Sequence, residues 1–183
     1  MTVSIPALAG FDDFAEVSLA TQGNSILVVL LRNNGSQQEI LYRDHTAQLN
    51  ATWNTIADPL FIGKKQQLST LILQNQLCMT WLNSDSMVVF SRISLTNGLT
   101  TKVPTVLYSG QSPVLGVFQT TGLVLSFVSG GAHKYLASLT LGDTWLMGTP
   151  NTADAGSGNV TEVDLTTDDP DGSEMVWIET DLP

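Results

Sequence analysis

The chain has 183 residues, 43% of them hydrophobic and 13% charged, with 17 acidic against 7 basic side chains and a formal net charge of −10. That length is ample for one domain with a core of its own. The acidic balance repels phosphate backbones and anionic bilayers, and no basic stripe interleaves with aromatics, so neither nucleic acid nor a membrane is an expected partner.

Residues 1–14 read as an amino-terminal arm in which 2–9 offers a strand able to close a sheet. Met1 to Pro6 carries no basic segment ahead of a long apolar core, so no secretory leader is expected. No apolar stretch approaches the roughly 20 residues that cross a bilayer.

Residues 15–158 contain one pattern three times. Its marker is an octapeptide, TAQLNATW at 46–53, SLTNGLTT at 94–101 and SLTLGDTW at 138–145, with steps of 48 and 44 residues. A fixed period of 40–50 residues marks a repeated supersecondary unit. Two strand-like runs precede each copy (16–22 and 25–32, 68–74 and 77–82, 114–120 and 123–128), and a third leads into it (39–43, 87–93, 134–139). A fourth run follows at 52–56, 101–107 and 144–147. Asn, Gly, Ser and Asp clusters at 33–36, 83–85 and 129–131 separate the second and third runs, as hairpin turns do. Each unit therefore predicts four antiparallel strands. The second runs, such as Ile26 to Leu31, lack polar alternation and predict strands buried on both faces. Four-stranded sheets stacked around an axis bury their inner strands in this way, so an all-β, propeller-like architecture is expected.

Residues 159–183 read as an acidic, incomplete fourth unit: eight carboxylates, no Lys or Arg, and two strands at 160–165 and 175–178 joined by a loop at 167–173. An unpaired edge there is a template for association. Val160, Val163, Met175 and Trp177 are its expected apolar interface. Asp169 and Asp171 before Gly172 offer part of a calcium loop, but the first ligand position is Thr167 and no bidentate Glu follows, so no cofactor is expected beyond this partial Ca2+ site.

The octapeptide resembles the Asp-box of sialidase-type β-propellers, Ser/Thr-x-Asp-x-Gly-x-Thr-Trp, over residues 15–150. The positions that carry the resemblance are Thr46, Thr52 and Trp53, then Ser94, Gly98 and Thr100, then Ser138, Gly142, Thr144 and Trp145. Thr101 replaces the Trp of the middle copy, and Gln48, Thr96 and Thr140 replace the Asp. The resemblance implies a hairpin between the third and fourth strands of a blade. Ser and Thr side chains would cap its backbone and the Trp would wedge between sheets. Sialidases hold a carboxylate with three arginines. Arg43 and Arg92 precede their octapeptides by three and two residues, and so point to opposite faces of equivalent strands.

No catalytic residue is expected: His45 and His133 lie near turns of different units, and no nucleophile, metal or phosphate motif stands out. The single cysteine, Cys78, sits in an apolar strand and reads as a small buried hydrophobe. The composition and the incomplete unit point to a non-catalytic assembly protein, foremost a bacteriophage virion component (decoration, fibre or tail-associated) whose partners are other virion proteins or itself. The alternative is a lectin-like propeller for surface glycans, with Trp81, Trp177, Tyr108 and Tyr135 as its aromatic platforms. A degenerate glycosidase is third.

Overall fold

A computed structural model of the chain describes residues 14–23, 25–34, 37–44, 53–56, 65–118, 121–148, 159–169 and 172–180. Their regular secondary structure is antiparallel strand joined by turns, with no helix among the described residues. The first sheet is β1 (Phe14–Gln22), β2 (Ser25–Asn34), β3 (Gln37–Asp44) and β4 (Asn54–Thr55), in that spatial order. The second is β5 (Gln66–Leu73), β6 (Gln76–Leu82), β7 (Met87–Ser94) and β8 (Thr100–Ser109). The third repeats the order with β9 (Gln111–Phe118), β10 (Gly122–Ser129), β11 (Ala132–Ser138) and β12 (Leu146–Gly148). A two-stranded ribbon, β13 (Asn159–Asp169) and β14 (Gly172–Thr180), ends the series. Among the described residues, three four-stranded sheets and a two-stranded ribbon give a β-propeller-like fold.

The apolar second strands account for the stacking. Leu27 to Leu31, Leu77 to Leu82 and Leu123 to Val128 are buried without interruption. A strand buried on both faces needs a neighbour on each side. One core therefore fills the space between the first and second sheets, with Leu27, Val29, Leu31 and Ile40 against Leu77, Met79, Trp81 and Ile93. The other lies between the second and third, with Cys78, Val88 and Phe90 against Leu123, Leu125 and Phe127. The first strands pack in succession, β1 on β5, β5 on β9 and β9 on β13, so they line a common axis. The sheets are not closed into a barrel.

Each first strand carries one extra residue near its start. The ladder slips between Phe14 and Glu16, between Gln66 and Ser69, opposite Ser126 and Val128 in β9, and between Val160 and Glu162. Gln67 and Ser112 take the left-handed conformation there, with φ of 54° and 48°. A bulge frees a backbone amide from the ladder. The preceding sheet accepts it: Leu68 N–H donates to Glu16 Oε1 (2.8 Å) and Ser112 N–H to Gln67 Oε1 (2.6 Å). Ser18 and Thr70 hydroxyls, 2.8 Å apart, add a further tie between β1 and β5.

Two expectations are corrected. β4 and β12 have only two and three residues, shorter than the runs at 52–56 and 144–147, whereas β8 extends to ten. The ribbon strands run through most of the supposed 167–173 loop, and Asp169 pairs with Gly172 in the ladder. Backbone pairing here overrides the weak strand propensity of Asp, so Asp169 stands at a strand end. The 2–9 strand, His45, Asp171 and Thr46 to Thr52 lie outside the described residues. Val160, Val163, Met175 and Trp177 fall in the ribbon, where Val163 is opposite Trp177 and Leu165 opposite Met175.

Candidate functional site: a cleft between the first and second sheets

The two junctions between full sheets are built to one plan and finished differently. At the second junction, Phe90 of β7 faces the third sheet. Trp145 meets it edge-on, with ring centroids 5.1 Å apart and planes at 79°. The octapeptide turn brings Gly142 onto the same ring, where φ is 86° and an added Cβ would collide with Phe90 Cε1, so only glycine fits. Two residues beyond Phe90, Arg92 donates Nη1–H to Leu141 O (2.6 Å), Nη2–H to Asp143 Oδ1 (3.0 Å) and Nε–H to Thr101 Oγ1 (3.1 Å). Lys102 Nζ stands 3.9 Å from the same carboxylate. Asp143 is half exposed, so the ion pairs contribute little beyond orientation, and the bond to the Leu141 carbonyl from a buried guanidinium is the stronger clamp.

Hydroxyls shape the turn from within. Ser138 Oγ accepts Gly142 N–H (2.8 Å), and Thr140 Oγ1 accepts Thr144 N–H (2.9 Å). The middle octapeptide caps itself differently: Gly98 N–H donates to Ser94 O (2.8 Å) and Leu99 N–H to Asn97 Oδ1 (3.0 Å).

At the first junction Tyr42 holds the place of Phe90, each four residues before its octapeptide. Asp44 holds the place of Arg92. Gly98 (φ 70°) abuts Tyr42 as Gly142 abuts Phe90, and its added Cβ would lie 3.1 Å from the Tyr42 hydroxyl. There the likeness ends. The middle turn is shorter, because β8 already begins at Thr100. Thr101, which holds the Trp145 place in the octapeptide, turns its hydroxyl to Gln76 Oε1 (2.6 Å) and to Arg92. Leu99, in the place of Asp143, is 64% exposed. Asp44 carries the charge opposite to that of Arg92, which clamps the second junction.

What remains is a cleft of about 610 Å³. Leu27, Ile72 and Leu95 supply its apolar surface, while Gln22, Ser25, Tyr42, Asp44, Asn54, Thr55, Asn75, Thr96 and Asn97 supply hydroxyls, amides and one carboxylate. The rim is braced where Asn75 Nδ2–H donates to Thr96 Oγ1 (2.7 Å) and Leu95 N–H to Asn75 O (3.0 Å). Burial pushes the Tyr42 phenol above its usual value, so it stays protonated and able to donate at neutral pH. Neutral donors and acceptors around an apolar surface suit a polyhydroxylated ligand. Asp44 is the one carboxylate among the described lining residues, whereas hydrolysis of a glycosidic bond ordinarily uses two.

Trp81, Tyr108 and Tyr135, three of the expected aromatic platforms, do not line the cleft. Trp81 is only 3% exposed, part of the first core with Lys65 Nζ 6.0 Å from its ring centre, and cannot serve as a sugar platform. Tyr108 is half-buried, tilted against Phe127 at 5.3 Å, with Lys134 over its ring. Tyr135 is half-buried on β11, opposite Ser126, and Trp177 belongs to β14. Tyr42 is the aromatic that lines the cleft, and its register with Phe90 ahead of the octapeptide was the available signal.

Other chemistry finds no setting among the described residues. Ser126 bonds His133 Nε2, but the serine is fully buried and cannot meet a substrate. Burial lowers the His133 pKa. Arg32 pairs with Glu39 while Arg92 serves the second junction, so these two of the chain's three arginines do not converge. Among the described residues, no group of three or more His, Cys, Asp or Glu side chains is placed to hold a metal.

No protein-family model matches the sequence, and no curated protein matches it. Among solved structures, the chain is similar to the catalytic domain of a GH62 α-L-arabinofuranosidase from Coprinopsis cinerea, with a TM-score of 0.53 at 13% identity over 78% of this chain. The similar region covers 52% of that domain, so the chain spans about half its length. At this identity the likeness concerns the fold, which is propeller-like in both.

Proposed function

We propose that the protein is a non-catalytic, lectin-like module that binds neutral glycans in the cleft between its first and second sheets. The observation that carries this reading is the contrast between junctions: where Trp145 and Arg92 seal the second, the described residues of the first leave a cleft lined by amides, hydroxyls, a tyrosine and, among them, one acid. Sugar hydroxyls pair well with such groups, and sugar C–H faces settle on apolar and aromatic surface. A propeller-like neighbour that acts on arabinofuranosides is compatible with a carbohydrate ligand.

Screening the full chain on an array of neutral and arabinose-containing glycans, followed by calorimetry on the hits, tests this. Binding at micromolar to millimolar Kd is expected, with Tyr42→Ala weakening it at least tenfold and the bound glycan recovered uncut. An array without hits would overturn the proposal, and recovery of cleaved product would replace it with an enzymatic one.

A second reading, as a subunit of a larger assembly such as a virion, draws on the ribbon. Among the described residues β14 has one strand neighbour, β13, which leaves its other edge available for pairing. Sedimentation velocity at several salt concentrations separates the two. Concentration-dependent association that weakens with salt would favour the assembly.

A further inference from the structure

We propose that the cleft is a vacated tryptophan socket, in which one ring of the ligand seats on Tyr42 in the way that Trp145 seats on Phe90. The inference deepens the glycan-binding reading and rests on it. The second junction supplies the template: an aromatic floor from the third strand of one sheet, a positive-φ glycine from the next octapeptide pressed against it, and an indole edge filling the remaining space. The first junction keeps the floor in Tyr42 and the glycine in Gly98, and lacks the indole because Thr101 stands in the tryptophan's place, its hydroxyl bonded to Gln76 and Arg92.

A six-membered sugar ring has about the thickness and breadth to replace an indole, and its equatorial hydroxyls would meet the polar rim. Asn54 and Thr55 flank the seat from β4, and Asn75 and Asn97 face them from the second sheet. Recognition would therefore centre on a single ring, a chain end or a side branch, and not on a long stretch of polysaccharide. Gly98 borders the seat, where an added side chain would strain the positive-φ backbone and crowd the Tyr42 hydroxyl at 3.1 Å.

The tyrosines at 42, 108 and 135 make the test site-specific. In the full chain with ring-labelled tyrosine, NMR titration with the methyl glycosides of glucose, galactose and mannose, and separately with 3-methylindole, should shift the Tyr42 ring signals and leave those of Tyr108 and Tyr135 in place. The indole should displace the glycoside. Transplanting the clamp with Asp44→Arg and Leu99→Asp should lower glycoside affinity at least tenfold while raising Tm. Where that double variant does not fold, Tyr42→Ala, which removes the seat, should lower affinity by the same factor. A glycoside that binds while Tyr42 stays unmoved, or a Tyr42→Ala protein of unchanged affinity, would overturn the socket and leave glycan binding elsewhere on the molecule intact. An array without hits together with no response to 3-methylindole would remove both.

Discussion

The Gln67 side chain accepts the backbone N–H of Ser112 at 2.6 Å, so the bulge of the second sheet holds the bulge of the third. Glu16 holds the Leu68 amide in the same manner one junction earlier. An extra residue in a strand costs a ladder bond, and here the lost bond becomes the joint between sheets. Removing the acceptor leaves the amide to water or to nothing. Gln67→Ala and Glu16→Ala should each lower stability by about 1 kcal/mol, read as a shift in urea midpoint with unchanged slope.

Trp145 should matter through its ring and not through its nitrogen. Its indole Nε1–H is buried without an acceptor. Trp145→Ala forfeits the contact with Phe90 and should cost about 2–4 kcal/mol, somewhat less than a fully buried tryptophan would. Trp145→Phe keeps an aromatic edge and removes the orphan donor, so its cost should be less than half as large. Equal losses in the two variants, measured by chemical denaturation, would contradict this.

Two glycines with positive φ should part company on substitution. At Gly130 (φ 62°) an added methyl meets no atom within 4 Å, so Ala costs only the backbone strain, about 1 kcal/mol. At Gly142 the same methyl enters the Phe90 ring, and the wedge must move. Gly142→Ala should destabilise by roughly 3 kcal/mol or more and broaden the Phe90 ring signals.

Lys65 lies buried beneath the first junction, and burial lowers its pKa from 10.5 to about 8. Between those values the unfolded chain binds more protons than the folded one. Stability should therefore rise with pH across the interval from 8 to 10.5 relative to a Lys65→Met protein, in which that component of the slope is absent. The comparison must be made as a difference, because burial shifts the Tyr42 and Cys78 groups upward and these act in the opposite sense over the alkaline range.

Much of this architecture was legible from residue order. Unbroken apolar runs such as Leu27 to Leu31 required cover on both sides, and the octapeptide period placed the hairpins. Cys78 is buried as its strand suggested, its thiol pushed up to about 12. The bulges were not legible, since Gln67 and Ser112 are ordinary polar residues whose left-handed backbone follows from the joint they make. Nor was the unequal finish of the octapeptides. Thr101 marked a missing tryptophan, but the loss of cover over Tyr42 depends on where β8 begins, and a two-residue difference in turn length leaves no trace in composition. Trp81 misled for a simpler reason: alternation in a doubly buried strand does not say which aromatic reaches water.

The packing of β1 on β5, β5 on β9 and β9 on β13 gives the molecule the mechanics of a short stack of cards, in which each card leans chiefly on those beside it. Loosening one interface in such a stack is felt locally, so the first seam can forgo its wedge while the second stays tight. That seam is then the place where amide hydrogen exchange should be fastest and where the stack should part first under load. A molecule bound across it acts as a staple, holding the two leaves together in proportion to its concentration over its Kd. Thermal protection would then report occupancy, with the first sheet gaining most.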